Sequence, residues 1–421
     1  VSHHAGIANL SFRAKVNPYL FVSSDRIDPT DPDQVAGMPG ESGEIFVSNV
    51  HLETTGRADQ SVVESVFVVS GPDLQVYDST FSTSHSDTTG EWQSVTLDAQ
   101  YADGAVIAGN TFVNTNGGMG FGNSQNLIVE RNEAYSAEGP GPSGGMAFSL
   151  GRTFGAFYSR ARPARNLYLG YNYFHDIGYP DQAVIQTDGG GSAYFGGIEE
   201  SSVTSLTLAN DPSWITTSAN PQGLAAEIVS GKGAGQYSML KSIDGRSIGL
   251  RTPWTVIPDE SSLIQITDPK INQIYSHNRI TDTAGVGIII FGAAVDAVID
   301  DNDFEDNGRG MLIWGITPYG GYLSDFNLDI LRNSLTMGTG RWIVDSTNNN
   351  KTGIGIGDDD GCFVFGLLMR DNQVPYNQVI FPTNGVNGIA ENMIEQNDAN
   401  VIGMQNMPGY ILQDNSPPGK F

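Results

Sequence analysis

Short β-branched runs in this chain end, again and again, in asparagine, any residue, then an apolar residue. Copies are Asn110-Thr-Phe112, Asn172-Tyr-Phe174, Asn278-Arg-Ile280, Asn302-Asp-Phe304, Asn333-Ser-Leu335, Asn372-Gln-Val374 and Asn392-Met-Ile394. Asn132-Glu-Ala134 is a weaker copy and Val47-Ser-Asn49 an early one. The short intervals, such as Asn110 to Asn132 or Asn278 to Asn302, match one turn of a parallel β-coil; the long ones are a turn plus an inserted loop. A second repeat runs in phase. Each coil has a Gly-led apolar strand: Gly118 to Phe121, Gly145 to Phe148, Gly287 to Ile290, Gly310 to Ile313 and Gly353 to Ile356. One such coil cannot bury its apolar face, so many must stack. An antiparallel sandwich explains neither the fixed asparagine nor the lack of regular tight hairpins. The expected fold class is all-β: a right-handed parallel β-helix whose corner asparagines hydrogen-bond along the stack.

Composition fits a folded solenoid. Of 421 residues 39% are hydrophobic and 16% charged, enough apolar side chain to exclude a disordered chain. With 47 acidic and 21 basic residues the net charge is −26. Such a balance argues against a nucleic-acid partner or an anionic membrane surface gripped by overall charge. The single cysteine, Cys362, excludes an internal disulfide framework. The longest apolar run, Ala284 to Val295, is too short for the ~18 residues of a membrane span. Residue 1 is Val, and the chain starts inside a patterned segment. It reads as a processed product whose targeting sequence came earlier, destined for secretion.

The interval from Asn172 to Asn278 is far longer than the rest. Its excess contains strand-like runs of its own, Ser202 to Leu208, Ala226 to Val229 and Leu263 to Ile266. It also carries a hairpin signal at Asp244-Gly245, a pair suited to a two-residue turn. The expected organisation is a β-helix over 1–188 and 270–421, with a lateral antiparallel β module over 189–269.

On these repeats the chain resembles the parallel β-helix proteins of the pectin-lyase-like superfamily. The resemblance implies a long carbohydrate groove on one parallel sheet. It implies no particular chemistry, because the superfamily spans hydrolases, lyases, epimerases, esterases and phage tailspikes. No catalytic residues are carried over from it.

Aligning coils on the asparagine puts Asp176, Asp282 and Asp306 at one corner of three successive coils. At ~4.8 Å between coils they would form a carboxylate column. Neighbouring like charges raise carboxyl pKa values, as a general acid requires. Carboxyls one coil apart suit a retaining glycosidase and two coils apart an inverting one. Aspartate at a turn is equally ordinary turn chemistry. Asp188 opens the Gly-rich Asp188-Gly-Gly-Gly191, aligned with Asn123, Leu150 and Gly292 of other coils, where the module departs. The two longest insertions leave adjacent coils there and should wall one cleft. The expected catalytic groups around it are Asp188, Asp176, Glu138 and His175. Substrate would be held by Arg152, Arg160, Tyr194 and Asp282. A salt-bridge network is the plain alternative for the arginines, and a turn cap for Asp188.

No cofactor is required by this chemistry. Ca²⁺ is the ion that Asp358–Asp360, Asp300–Asp303 or Asp28–Asp33 would take, although solvated acidic turns are the default. The leading expectation is an extracellular glycoside hydrolase acting on a polysaccharide. A lyase or epimerase using Arg and Ca²⁺, and a non-enzymatic adhesive or structural β-helix, are the alternatives. Assembly into a homo-oligomer is left open.

Overall fold

The structure, a computed structural model, describes residues 5–14, 21–22, 44–54, 67–70, 73–83, 97–100, 102–114, 118–122, 124–136, 148–150, 164–177, 183–187, 192–212, 223–283, 285–316, 323–336, 352–358, 362, 364–374, 379–382, 392–401 and 410–415. Outside residues 192–267, the strands fall into a 20-stranded and an 11-stranded sheet. Pairing between coils is parallel throughout both, as in Arg165–Gly170 against Lys270–Ser276 and Ala183–Thr187 against Val286–Phe291. One coil runs Ala294–Asp300, corner Asn302, Asp303–Glu305, then Arg309–Gly315. The first two strands join the larger sheet and the third joins the smaller. This is the right-handed parallel β-helix, with the crossover sense that twisted strands impose.

Side-chain alternation explains the core. In each three-residue strand only the middle side chain points inward: Phe112, Ala134, Phe174, Ile280, Phe304 and Leu335 are all buried. Facing them are Met119, Phe148, Ile185, Ile288, Met311 and Ile354, in register across the smaller sheet. The strand-leading glycines have a steric cause. A Cβ at Gly287 would lie 2.6 Å from the Phe304 ring, and one at Gly310 would lie 2.4 Å from Leu335. Glycine makes room for the large side chain arriving from across the tube. Each buried Phe or Leu contributes about 1.5–3 kcal/mol by leaving water.

The corner asparagines stack as expected, with the ends of the ladder corrected. Asn110, Asn132, Asn172, Asn278, Asn302, Asn333, Asn372 and Asn397 each donate Nδ2 to the next Oδ1, the last reaching Asn415, at 2.9–3.0 Å. Asn392 is not a corner but the first residue of the strand Asn392–Glu395. Asn49 lies one residue before the corner, where Val50 N donates to Ser79 Oγ. Asn49 instead has φ 51° and bonds Asn9 in an exposed column.

The inserted module is a closed six-stranded antiparallel barrel: Ser192–Ser201, Ser205–Leu208, Ser247–Leu250, Tyr237–Asp244, Ala225–Ser230 and Leu263–Thr267 in spatial order. Its hairpin turns at Gly245, φ 56°, between the paired Asp244 and Ser247. The barrel has its own core, including Ile198, Leu206, Ile228, Leu240, Ile248 and Ile266. It is seated on the β-helix rather than free. The outward column Ile271, Val295, Phe326 and Phe365, in register over four coils, packs against Val229, Phe195, Ala234, Tyr237 and Met239. One coil earlier the same column reads Arg165, and before that Gln125. The column turns apolar where the barrel begins to cover it.

Candidate functional site

The corner asparagine leaves three positions pointing outward in each coil: the residue before it, the one after it and the third after it. Over successive coils the first column reads Arg131, Tyr171, His277, Asp301. The second reads Glu133, Tyr173, Arg279, Asp303, and the third Tyr135, His175, Thr281, Glu305. Together they form a ridge along the axis, at least partly exposed at every named position but Thr281, which is buried.

Rings and cations stack along this ridge. His175 lies between Tyr135 (4.8 Å, 8° between planes) and Tyr173 (4.3 Å, 23°). The Arg279 guanidinium sits 5.2 Å over Tyr173. Across the corner, Tyr171 stacks on His277 at 4.6 Å, with Arg131 5.6 Å over its ring. Tyr171 holds φ 56°, an expensive conformation for a bulky residue, and the stack offsets that cost.

Carboxylates border the stacks. His175 Nδ1 is 2.9 Å from Asp176 Oδ2, and its Nε2 is 3.3 Å from Glu133 Oε1. A carboxylate on each nitrogen holds the imidazole in place and occupies both of its exchange positions. Tyr173 Oη lies 3.4 Å from Thr281 Oγ1. Arg279 bonds Glu305 at 3.1 Å and lies 3.8 Å from Asp303. The Glu305 bond pushes the Arg279 pKa up. Partial burial raises that of Asp303, against the pull of Arg279.

The carboxylate column is present but built as turn chemistry. Asp176, Asp282 and Asp306 have φ of 52°, 54° and 54°, and Asn114 takes φ 55° at the same place. Each donates its backbone N to the following coil, as Asp176 N does to Thr281 O at 3.2 Å. Left-handed backbone favours Asp and Asn there, and Asp176 is joined to the stack through His175. Tyr194 is corrected: its ring is in the barrel core and its hydroxyl donates to Gly197 O at 2.6 Å, so it offers no face to a ligand.

Asp188, Glu138, Arg152 and Arg160 lie outside the described residues. Next to them, Thr187 is in register with Leu150 and Ile290. That register sets Leu150 beside Thr187, one residue off the sequence alignment. In these coils Ala183, Val286 and Ile289 form a small buried cluster, with Phe291 and Leu312 packed against it.

No described group of three or more His, Cys, Asp or Glu is placed to hold a metal. The Asp300–Asp303 run does not fit a shared Ca²⁺. Its carboxylates diverge, Asp300 to Arg332 (2.6 Å), Asp301 to His277 (3.1 Å) and Asp303 toward Arg279. Asp28–Asp33, Asp359 and Asp360 lie outside the described residues.

Glu133, Tyr135, Tyr173, Arg279 and His277 were not anticipated. Their signal was available, because each sits one or three residues after a corner asparagine, or just before it.

No protein-family model matches the chain, and no curated protein matches it. Among solved structures it is similar to the tailspike protein gp49 of Pseudomonas phage LKA1, with 10% identity and TM-score 0.31 over 60% of this chain and 44% of that one. It is also similar to a family 28 exopolygalacturonase of Yersinia enterocolitica, with 11% identity and TM-score 0.31 over 89% and 47%. A PL6 family alginate lyase gives 10% identity and TM-score 0.32 over 98% and 50%. The chain thus spans about half the length of these proteins. The fold itself rests on the parallel ladders described above. Among the described residues no helix is long and apolar enough to cross a membrane.

Proposed function

We propose that this chain acts on a polysaccharide outside the cell, held along the corner ridge, with hydrolysis by paired carboxyl groups as its reaction. The observation that carries the reading is the stack Tyr135–His175–Tyr173–Arg279, bordered by Glu133 and Asp176. Aromatic bodies with polar rims suit sugar rings, which are apolar on their faces and hydroxylated at their edges. His175 would move a proton there where substrate takes the place of Glu133, the longer of its two contacts, leaving Asp176 to orient the ring. Asp188 and Glu138 remain the proposed acid and base contributed by the neighbouring insertions, with Arg152 and Arg160 on the substrate. The ridge carries more carboxylates than arginines, and the whole chain is strongly acidic. A neutral polysaccharide is therefore favoured over a polyuronate.

A glycan array followed by product mass spectrometry tests this. Hydrolysis adds one water per cleavage, whereas elimination leaves an unsaturated end. His175→Ala should lower kcat by about 10²–10⁴ if the imidazole moves a proton. Asp188→Asn should remove most turnover with the fold intact. A second reading, a carbohydrate-binding β-helix without catalysis, is favoured by one observation: Glu133, His175, Asp176, Arg279 and Glu305 already engage one another. Binding without turnover would establish it.

A further inference from the structure

At the edge of the ridge, where the strand Lys270–Ser276 meets its corner, three side chains form a relay that the carboxyl-based hydrolysis does not use. Ser276 Oγ lies 2.6 Å from His277 Nδ1. His277 Nε2 lies 3.1 Å from Asp301 Oδ2, one coil further on. An ionised Asp301 can only accept, so Nε2 carries the imidazole hydrogen. Nδ1 is then the acceptor, and the Ser276 hydroxyl donates to it. A hydroxyl, a base and a carboxylate that orients the base thus stand each within hydrogen-bond reach of the next, as nucleophilic catalysis requires.

The coil repeat holds the relay in place. His277 and Asp301 share the left-handed backbone that precedes each corner, with φ of 57° and 54°. Tyr171, at the same position one coil earlier, stacks on the imidazole at 4.6 Å. Its ring face favours the imidazolium that a proton from serine would create. On the other side of Ser276 there is room for an acyl group. Ser276 is in register with Gly170, which has no side chain, and the Tyr168 hydroxyl leans over that glycine. A Cβ at Gly170 would lie 2.4 Å from Tyr168 Oη. A hydroxyl donor therefore stands about one coil spacing, ~4.8 Å, from the serine strand. Ile274, 43% exposed and in register with Tyr168 and Val298, lines an apolar strip next to it. Ser276 itself is 7% exposed, so the gap suits a small acyl group and not a bulky one.

We propose that Ser276, His277 and Asp301 form a serine esterase centre, separate from His175, that removes acetyl groups from hydroxyls of a polysaccharide lying along the ridge. The polysaccharide half of this assignment rests on the function proposed above, and the esterase half on the relay alone. Ser276 Oγ bonds to the acyl carbon as its proton passes to His277 Nδ1. Tyr168 Oη donates to the carbonyl oxygen as that oxygen gains charge. The bond from the acyl carbon to the sugar oxygen then breaks, and the sugar oxygen leaves with the proton from His277. Water adds to the acyl-serine in the same way, giving a proton to His277. The bond to Ser276 Oγ breaks, the serine recovers that proton, and acetic acid is released. One water is consumed per ester, and Asp301 stays ionised, holding the Nε2 hydrogen throughout.

Two kinds of probe test the two halves on the full chain. A fluorophosphonate, which reacts with activated serines, should label the peptide that carries Ser276. Hydrolysis of p-nitrophenyl acetate should fall by about 10²-fold or more in Ser276→Ala and in His277→Gln. Tyr168→Phe should lower it by about 10²-fold, as loss of an oxyanion donor does. Acetylated xylan, glucomannan and alginate then test the sugar ester, with free acetate as the readout and release from at least one of them expected. An unlabelled Ser276, or p-nitrophenyl acetate hydrolysis unchanged in Ser276→Ala, would overturn the relay. Labelled Ser276 with no acetate from any of the three, although a glycan binds the ridge, would overturn the sugar-ester assignment. Labelled Ser276 in a chain that binds no glycan would sink the polysaccharide reading and leave the esterase standing. The wild-type label decides the relay by itself if a variant does not fold.

Discussion

Asn302→Ala should destabilise the chain by about 5 kcal/mol, whereas Asn166→Ala should cost under ~1 kcal/mol, although both are stacked amides. Asn302 is 1% exposed. Its Oδ1 accepts from Asn278 N and Nδ2, both at 2.9 Å, and its Nδ2 donates to Tyr275 O and Asn333 Oδ1, both at 2.9 Å. Alanine strands the Asn278 N–H and the Tyr275 carbonyl away from water, and each orphan costs ~1–3 kcal/mol before relaxation; the amides of Asn278 and Asn333 each lose one partner and keep Leu169 O and Asn302 N–H. Asn166 bonds Asn126 at 2.7 Å and Asn272 at 3.0 Å in the exposed column, where water replaces the lost partner. Urea unfolding of both variants checks the contrast, with the slope monitored because stacked repeats can unfold in parts. Equal losses would mean that the inner ladder does not hold the coils in register.

Lys270→Met should cost about 3–5 kcal/mol and should do so mainly at the barrel seam. The methionine fills the space, so the loss reports charge rather than a cavity. Lys270 is the cation that pulls down the raised pKa values of both Glu227 and Asp325. Without it those carboxyls must be protonated or stand as uncompensated buried charges. All three residues are buried. The folded pKa values then rise further above the unfolded ones. The deficit is small while Glu227 is protonated in both proteins and grows as pH passes about 8. Thermal unfolding at about pH 6 and about pH 10 separates this from a packing defect, which would be the same at both. Adding Asp325→Asn should return part of the stability at the higher pH.

The repeat was legible because it answers a single demand. A buried amide that must bond the coil above and the coil below tolerates little substitution, so Asn110 to Asn372 stand out in the sequence. The ends were misread because asparagine also serves elsewhere. Asn49, Asn126, Asn166 and Asn272 occupy exposed left-handed positions with φ of 51–56°, and a local pattern does not distinguish the two uses. The barrel's hairpin was visible in Asp244-Gly245, whereas its seating was not. That required the register of Gln125, Arg165, Ile271, Val295, Phe326 and Phe365, residues up to 240 positions apart in the chain. For the proposed site, the coil alignment pointed to His175 and Asp176. Their partners Glu133, Tyr135, Tyr173 and Arg279 were passed over because the alternation of the three-residue strands was not followed outward. Asp188, Glu138, Arg152 and Arg160 sit on insertions, which do not obey the coil repeat and so take no register from it.

Hydrogen exchange in the presence of an oligosaccharide that the chain binds or cleaves tests the ridge as the polysaccharide site most directly. Protection should appear in Glu133–Tyr135, Tyr173–His175 and Arg279–Thr281, fade toward Ser334–Thr336, and be lost in Tyr173→Ala. Saturating ligand that leaves those three strands unprotected while protecting segments elsewhere would contradict the account.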